Sequence, residues 1–331
     1  MKNVIKRTLL VGALLVTLVS AVGAQTIRVG SSAPENSPWG RALNRLASEW
    51  QQISNGRVRV QVFHNSVAGV ESDMIRKMRI GQLQAAIVTN TGLAAFSDRI
   101  MTLSMPLLIR SEDEYNYVFE RMRPGLEAEI EDDGFYVLAW SLAGWVYPFA
   151  DQPVRTPDDL RALRLAASPE EQELIRAYQI LGYQPVSISF SERLVSLVNN
   201  MADAHLTVPI LAAGFQWFGA TNHMTNIKIA PAPGAILLSQ RAYRRLPADI
   251  RDELLAAADK VSADLNGEIE ALERTALDTM IDFGLTVVEP TEAERRLWEQ
   301  EFESAYSVML GNVFSEPMYR DIQELLNEHR R

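Results

Sequence analysis

The stretch Gly134 to Ser168, GFYVLAWSLAGWVYPFADQPVRTPDDLRALRLAAS, constrains the fold more than any other part of this chain. Two β-like runs, Phe135 to Trp140 and Val146 to Ala150, lead through Pro153 and a Thr156-Pro157-Asp158-Asp159 helix start into a third run, Leu163 to Ala167. This pattern reads as a crossover between two lobes. With 331 residues the chain has room for two cores, and 47% hydrophobic against 22% charged residues are ordinary globular values that argue against disorder.

The N-terminus has the three parts of a secretory signal. Lys2, Lys6 and Arg7 precede an apolar run from Leu9 to Val19, and Val22-Gly23-Ala24 offers a small-residue cleavage site, so residues 1–24 are expected to be removed and the mature chain to begin at Gln25. An uncleaved anchor is the competing reading, weakened by the shortness of the run. There is no cysteine, which excludes disulfides, thiolate chemistry and a lipid-modified N-terminal Cys. The formal charge of −10 becomes more negative once three basic residues leave with the signal. Such a surface repels nucleic acid and anionic lipid.

From Thr26 the pattern is βαβ: a strand to Gly30, a helix near Trp39 to Ile53 that Asn36 or Ser37 can cap, and a strand Val58 to Phe63 with Val58, Val60 and Val62 on one face. A helix near Val70 to Ile80 and a strand Gln84 to Val88 follow, and the sheet is expected to be mainly parallel. Ligands of open α/β sheets gather outside the carboxyl ends of strands, which makes Trp39, Glu71 and Asn90 candidates by position. Each also has a bland reading: a hydrophobic staple, an acid at a helix start, and a turn former. Glu112 to Glu131 reads as a helix interrupted near Pro124-Gly125, and Pro247 to Phe283 as one helical run about 50 Å long, more than one lobe across.

The four histidines show no metal-ligand spacing, and neither a Gly-x-Ser-x-Gly motif nor a Gly-rich phosphate loop is present. No enzymatic activity, metal or cofactor is expected.

The segment TPDDLRALRLA resembles the "tPeDLkGlKiR" pattern of the solute-binding subunits of TRAP transporters, the DctP-like family. SPWG at residues 37–40, GQLQAAIV at 81–88, MPLLIR at 105–110 and LVNNMADAHLTVP at 197–209 are similar to further landmarks of that family, as are Phe215-Gln216-Trp217-Phe218 and Asn222-His223. The resemblance implies an α/β, two-lobed periplasmic-binding-protein-like fold with a long helix bracing both lobes. Residues 25–143 plus 233–272 would form lobe I, and 144–232 plus 273–331 lobe II. It also implies a periplasmic location and membrane permease subunits as partners.

Two departures bear on the ligand. Where the family has a strand Arg that holds a carboxylate, this chain has Ala166, and where a second Arg follows a Gly, the run Gly144-Trp145-Val146 offers Val146. The expected ligand is therefore apolar or neutral, held by Trp145, Val146, Tyr147, Ala166, Thr207, Phe215 and Trp217 beside the first-lobe candidates. A classical organic-acid-binding subunit would need another cation, for which Arg164 is the candidate two residues before Ala166. Loss of the Arg also resembles the subtype that works with a tetratricopeptide-repeat periplasmic protein. A sensory co-receptor, or an extracytoplasmic enzyme using Glu71 or His223 as acid or base, would share these features.

Overall fold

The computed structural model describes residues 24–331, the side chain of Asp98 apart; the expected signal at residues 1–24 lies almost wholly outside the described residues. The strands are β1 (Gln25–Gly30), β2 (Val58–Phe63), β3 (Ala85–Thr89), β4 (Phe135–Ala150), β5 (Arg164–Ala167), β6 (Gln184–Ser187), β7 (Ala204–Thr207), β8 (His223–Thr225), β9 (Ala230–Ser239) and β10 (Thr286–Val288). They run in the order β2-β1-β3-β9-β4-β7-β5-β6, with β8 paired to β4 and β10 to β8.

The opening βαβ unit forms as its pattern dictates. Ser37 caps the helix Pro38–Ile53 by accepting from the Gly40 N–H at 3.1 Å, and Pro38 occupies its first turn. That helix buries Leu43, Leu46 and Trp50 against Ile27 and Val29 of β1. β1 then pairs in parallel with β2 and β3.

The sheet is mixed rather than mainly parallel. β9 runs antiparallel to both β3 and β4, and β4 antiparallel to β7 and β8. β9 has no counterpart in the sequence reading because Pro231 and Pro233 disguise it. A proline cannot donate to the ladder, and these two sit where the β4–β9 register slips between Leu142 and Trp145, so the ladder is already irregular there.

The two runs read on either side of Gly144 are one 16-residue strand, β4, about 50 Å long. Its first part, Phe135 to Val146, pairs with β9; its last residues, Tyr147 to Ala150, pair with β7. The two lobes are thus joined by continuous strands, and the expected division at 143/144 falls at the irregularity, where Gly144 adopts a φ of +118°. The Glu273 side chain occupies the space a Cβ at Gly144 would need.

The helix Arg251–Asp282, 32 residues and about 48 Å long, packs along this junction. Leu254 to Ile269 enter one core with Trp39 and Trp50, whereas Met280 enters another with Phe149, Met224 and Leu285. Polar contacts fix its register on β4: Ser262 Oγ and Asn266 Nδ2 donate to the Trp140 carbonyl, and the Trp145 N–H donates to Glu273 Oε1 at 3.0 Å. The helix Glu112–Asp132 runs unbroken through Pro124, contrary to the expected interruption. One lost backbone hydrogen bond is outweighed by the burial of Tyr115 and Val118 before the ring and Leu126 and Ile130 after it.

Candidate ligand-binding site

The carboxyl ends of β1, β3, β5 and β7 open onto one cleft of about 290 Å³ between the lobes. From the first lobe come Ala33, Trp39, Glu71 and the Thr89-Asn90-Thr91 turn; from the second come Ala166 to Ser168, Glu171, Arg193 and Thr207. Most of the wall is apolar, with Leu174, Phe190, Leu211, Phe215 and Pro231 among its residues.

Seven of the ten residues expected at the site line this cleft: Trp39, Glu71, Asn90, Val146, Ala166, Thr207 and Phe215. The other three do not. Successive side chains on a strand point to opposite faces, so with Val146 toward the cleft its neighbours Trp145 and Tyr147 point away. The Trp145 ring lies on the side of the long helix, beneath the Lys228 ammonium at 5.1 Å, and Tyr147 is buried in a core. Trp217, 1% exposed, stands behind the wall, stacked on Phe215 at 5.1 Å and edge-on to Phe190 at 5.0 Å.

Arg164 is not in the cleft either. Its exposed guanidinium forms a two-pronged ion pair with Asp203, Nε donating to Oδ2 at 2.8 Å. His223, one of the two acid–base candidates, is absent from the residues lining the cleft, so Glu71 has no partner in it from that residue.

Glu71 is 9% exposed and organises the first-lobe rim. Its Oε2 accepts from the Thr89 N–H at 3.0 Å, the Thr89 hydroxyl at 3.1 Å and the Gly92 N–H at 2.8 Å, pinning the one-turn helix Asn90–Leu93. Burial pushes the carboxyl up to about 7 against the pull of those hydrogen bonds. Two further acids bridge the lobes. Glu170 Oε1 accepts from the Ser72 N–H at 3.1 Å, and Glu171 Oε1 from the Thr91 hydroxyl at 2.8 Å. Burial raises the Glu171 carboxyl, with Thr91 and Arg193 opposing it.

Sequence reasoning missed Arg193. It is 8% exposed at the start of the helix Arg193–Val198, its guanidinium carbon 5.2 Å from the Trp217 ring centroid and 5.9 Å from that of Phe190. Burial depresses its pKa, with Glu171 opposing. With apolar residues at 194, 195, 197 and 198, the sequence does not say which face of this helix is buried. Arg193, Ser196 and Leu197 share one helical face, and that face is the buried one, whereas the apolar Val195 and Val198 are each 61% exposed. Leu197 is buried beside Arg193, and Leu194 packs against the same core.

A deep cleft between two strand-linked lobes, walled by apolar groups and carrying a few convergent polar ones, defines a receptor for a small molecule. The model of the bacterial extracellular solute-binding proteins of family 7, DctP, matches residues 29–312, and the chain belongs to that family. It is 21% identical over 307 residues to the 2,3-diketo-L-gulonate-binding periplasmic protein YiaO of Escherichia coli K12, covering 92% of this chain and 90% of that one. Among solved structures, it resembles a TRAP periplasmic solute-binding protein of Shewanella oneidensis with bound succinate, with a TM-score of 0.84 at 19% identity over 92% of this chain and 99% of that one. It also resembles one of Roseobacter denitrificans with bound L-galactonate, with a TM-score of 0.81 at 20% identity over 92% of this chain and all, 100%, of the other. Among the described residues, no helix is long and apolar enough to cross a membrane.

Proposed function

We propose that this protein is the extracytoplasmic solute-binding subunit of a TRAP-type transporter, taking a small organic acid into the interlobe cleft and presenting it to membrane permease subunits. The observation that carries this reading is the cleft itself, at the carboxyl ends of parallel strands from both lobes and bridged by Glu170 and Glu171. The relatives support the ligand class: 2,3-diketo-L-gulonate, succinate and L-galactonate are all organic acids.

The finer part of the proposal is an apolar ligand body. Trp39, Val146, Ala166, Leu174, Phe190 and Phe215 supply wall that rewards apolar area at about 25 cal/mol per Å². The long helix and strands β4 and β9 tie the lobes while leaving the irregularity at Gly144 as the place where they flex. A leader removed before Gln25 and a tetratricopeptide-repeat partner complete the reading. N-terminal sequencing of the periplasmic protein and co-purification with such a partner check them.

The function itself is tested by thermal denaturation of the mature protein with succinate, galactonate and hexanoate, beside the neutral hexanamide. An acid should raise the melting temperature by several degrees through preferential binding to the native state. Stabilisation by the amide alone, or by none of the four nor by benzoate or phenylacetate, would overturn the assignment.

A further inference from the structure

We propose that Arg193 is the carboxylate anchor of the cleft and that the ligand is a monocarboxylate with an apolar body. This rests on the reading of the cleft as the ligand site. Arg193 is the one basic residue among the described residues lining it, and it is held nine-tenths buried. Its Nε has no hydrogen-bond partner, and among the described residues its guanidinium forms no ion pair; its close company is the Phe190 and Trp217 rings. Aromatic faces attract a guanidinium through their quadrupole, but they leave the in-plane N–H donors unused.

Holding a cation in this way is costly to the protein unless an anion completes it. Glu171 acts on the guanidinium through space without forming an ion pair or hydrogen bond with it. The Oε1 of Glu171 is engaged by the Thr91 hydroxyl. The donors of Arg193 are therefore free for a ligand, and the planar fork suits a carboxylate.

The same surroundings limit the ligand to one acid group. Glu71, Glu170 and Glu171 also line the cleft, so a second carboxylate would meet further acids and no second cation. The rest of the wall offers Leu174, Phe190, Leu211 and Phe215, which favour an alkyl or aryl body over a polyol.

The test measures binding of butanoate, hexanoate, benzoate and phenylacetate, with adipate and hexanamide as the diacid and neutral counterparts. It uses the wild type, Arg193→Met, Arg193→Lys and Arg164→Met, each checked for fold by circular dichroism. Wild type should bind at least one monocarboxylate and take adipate and hexanamide at least about tenfold more weakly. Arg193→Met should lose about a hundredfold, Arg193→Lys should fall between, and Arg164→Met should bind as wild type does. Equal affinity in wild type and Arg193→Met would remove the anchor while leaving the organic-acid receptor standing. Failure of wild type to bind any monocarboxylate would overturn the ligand class, and failure with succinate and galactonate as well would overturn the functional reading with it. Should Arg193→Met not fold, Arg193→Lys decides: it keeps the charge and loses the fork, so undiminished binding would refute bidentate anchoring.

Discussion

Replacing Glu71 by Gln should change how stability depends on pH. The carboxyl is buried, and its folded pKa lies at about 7, above the ordinary 4.5. For an acid with a raised folded pKa, both states are protonated below 4.5. Between there and about 7 the unfolded chain ionises first, and stability falls; above about 7 both are ionised, and the curve flattens. At about 1.4 kcal/mol per pH unit, this interval costs the wild type roughly 3 kcal/mol. Glu71→Gln keeps an acceptor for the Thr89 and Gly92 N–H groups and has no proton to lose. Urea unfolding of both ligand-free proteins, followed by tryptophan fluorescence across this range, gives the difference directly. Contributions of other groups cancel, so the advantage of Glu71→Gln over wild type should grow by about 3 kcal/mol on going from acid to neutral pH. Parallel curves would refute the reasoning and mean that the carboxylate is ionised in the fold at little cost.

Three further outcomes follow from particular contacts. Thr91→Val removes the hydroxyl that reaches across the cleft to Glu171, and the loss of about 1 kcal/mol from the closed state should speed release of a bound acid about fivefold in stopped-flow displacement. Gly92→Ala would place a Cβ 2.8 Å from Val88 Cβ and closer still to Glu71, so thermal unfolding should report a loss of about 1–3 kcal/mol together with weakened binding. Trp50→Phe deletes the buried indole donor to the Leu254 carbonyl at 2.8 Å; urea unfolding should show a cost of about 1–3 kcal/mol with unchanged ligand affinity, because the contact lies in the first-lobe core.

Local rules served well where they act alone. The alternation of Val58, Val60 and Val62, the Ser37 cap and the Thr156-Pro157-Asp158-Asp159 helix start each specified an element that the structure contains. They failed where long-range packing overrides a local breaker. Pro231 and Pro233 mark a loop by themselves, but β9 lies between β3 and β4 and is held there by both neighbours. At the site, position in the chain located the cleft through Trp39, Glu71 and Asn90, whereas naming Trp145, Val146 and Tyr147 together ignored the alternation that lets only Val146 face it. Arg193 was hidden for a different reason. A single Arg after Ser191-Glu192 looks solvated, and because Leu194, Val195, Leu197 and Val198 surround the helix, only the packing, which buries Leu197 and leaves Val195 and Val198 outside, shows that Arg193 points inward.

The most direct measurement is mass spectrometry of whatever small molecule leaves the purified mature protein on mild denaturation. A stoichiometric carboxylic acid, carrying one acid group on an apolar body and lost from Arg193→Met, is the predicted result. A neutral lipophilic compound retained by that variant would contradict it, and would mean that the cleft holds its ligand by apolar burial alone.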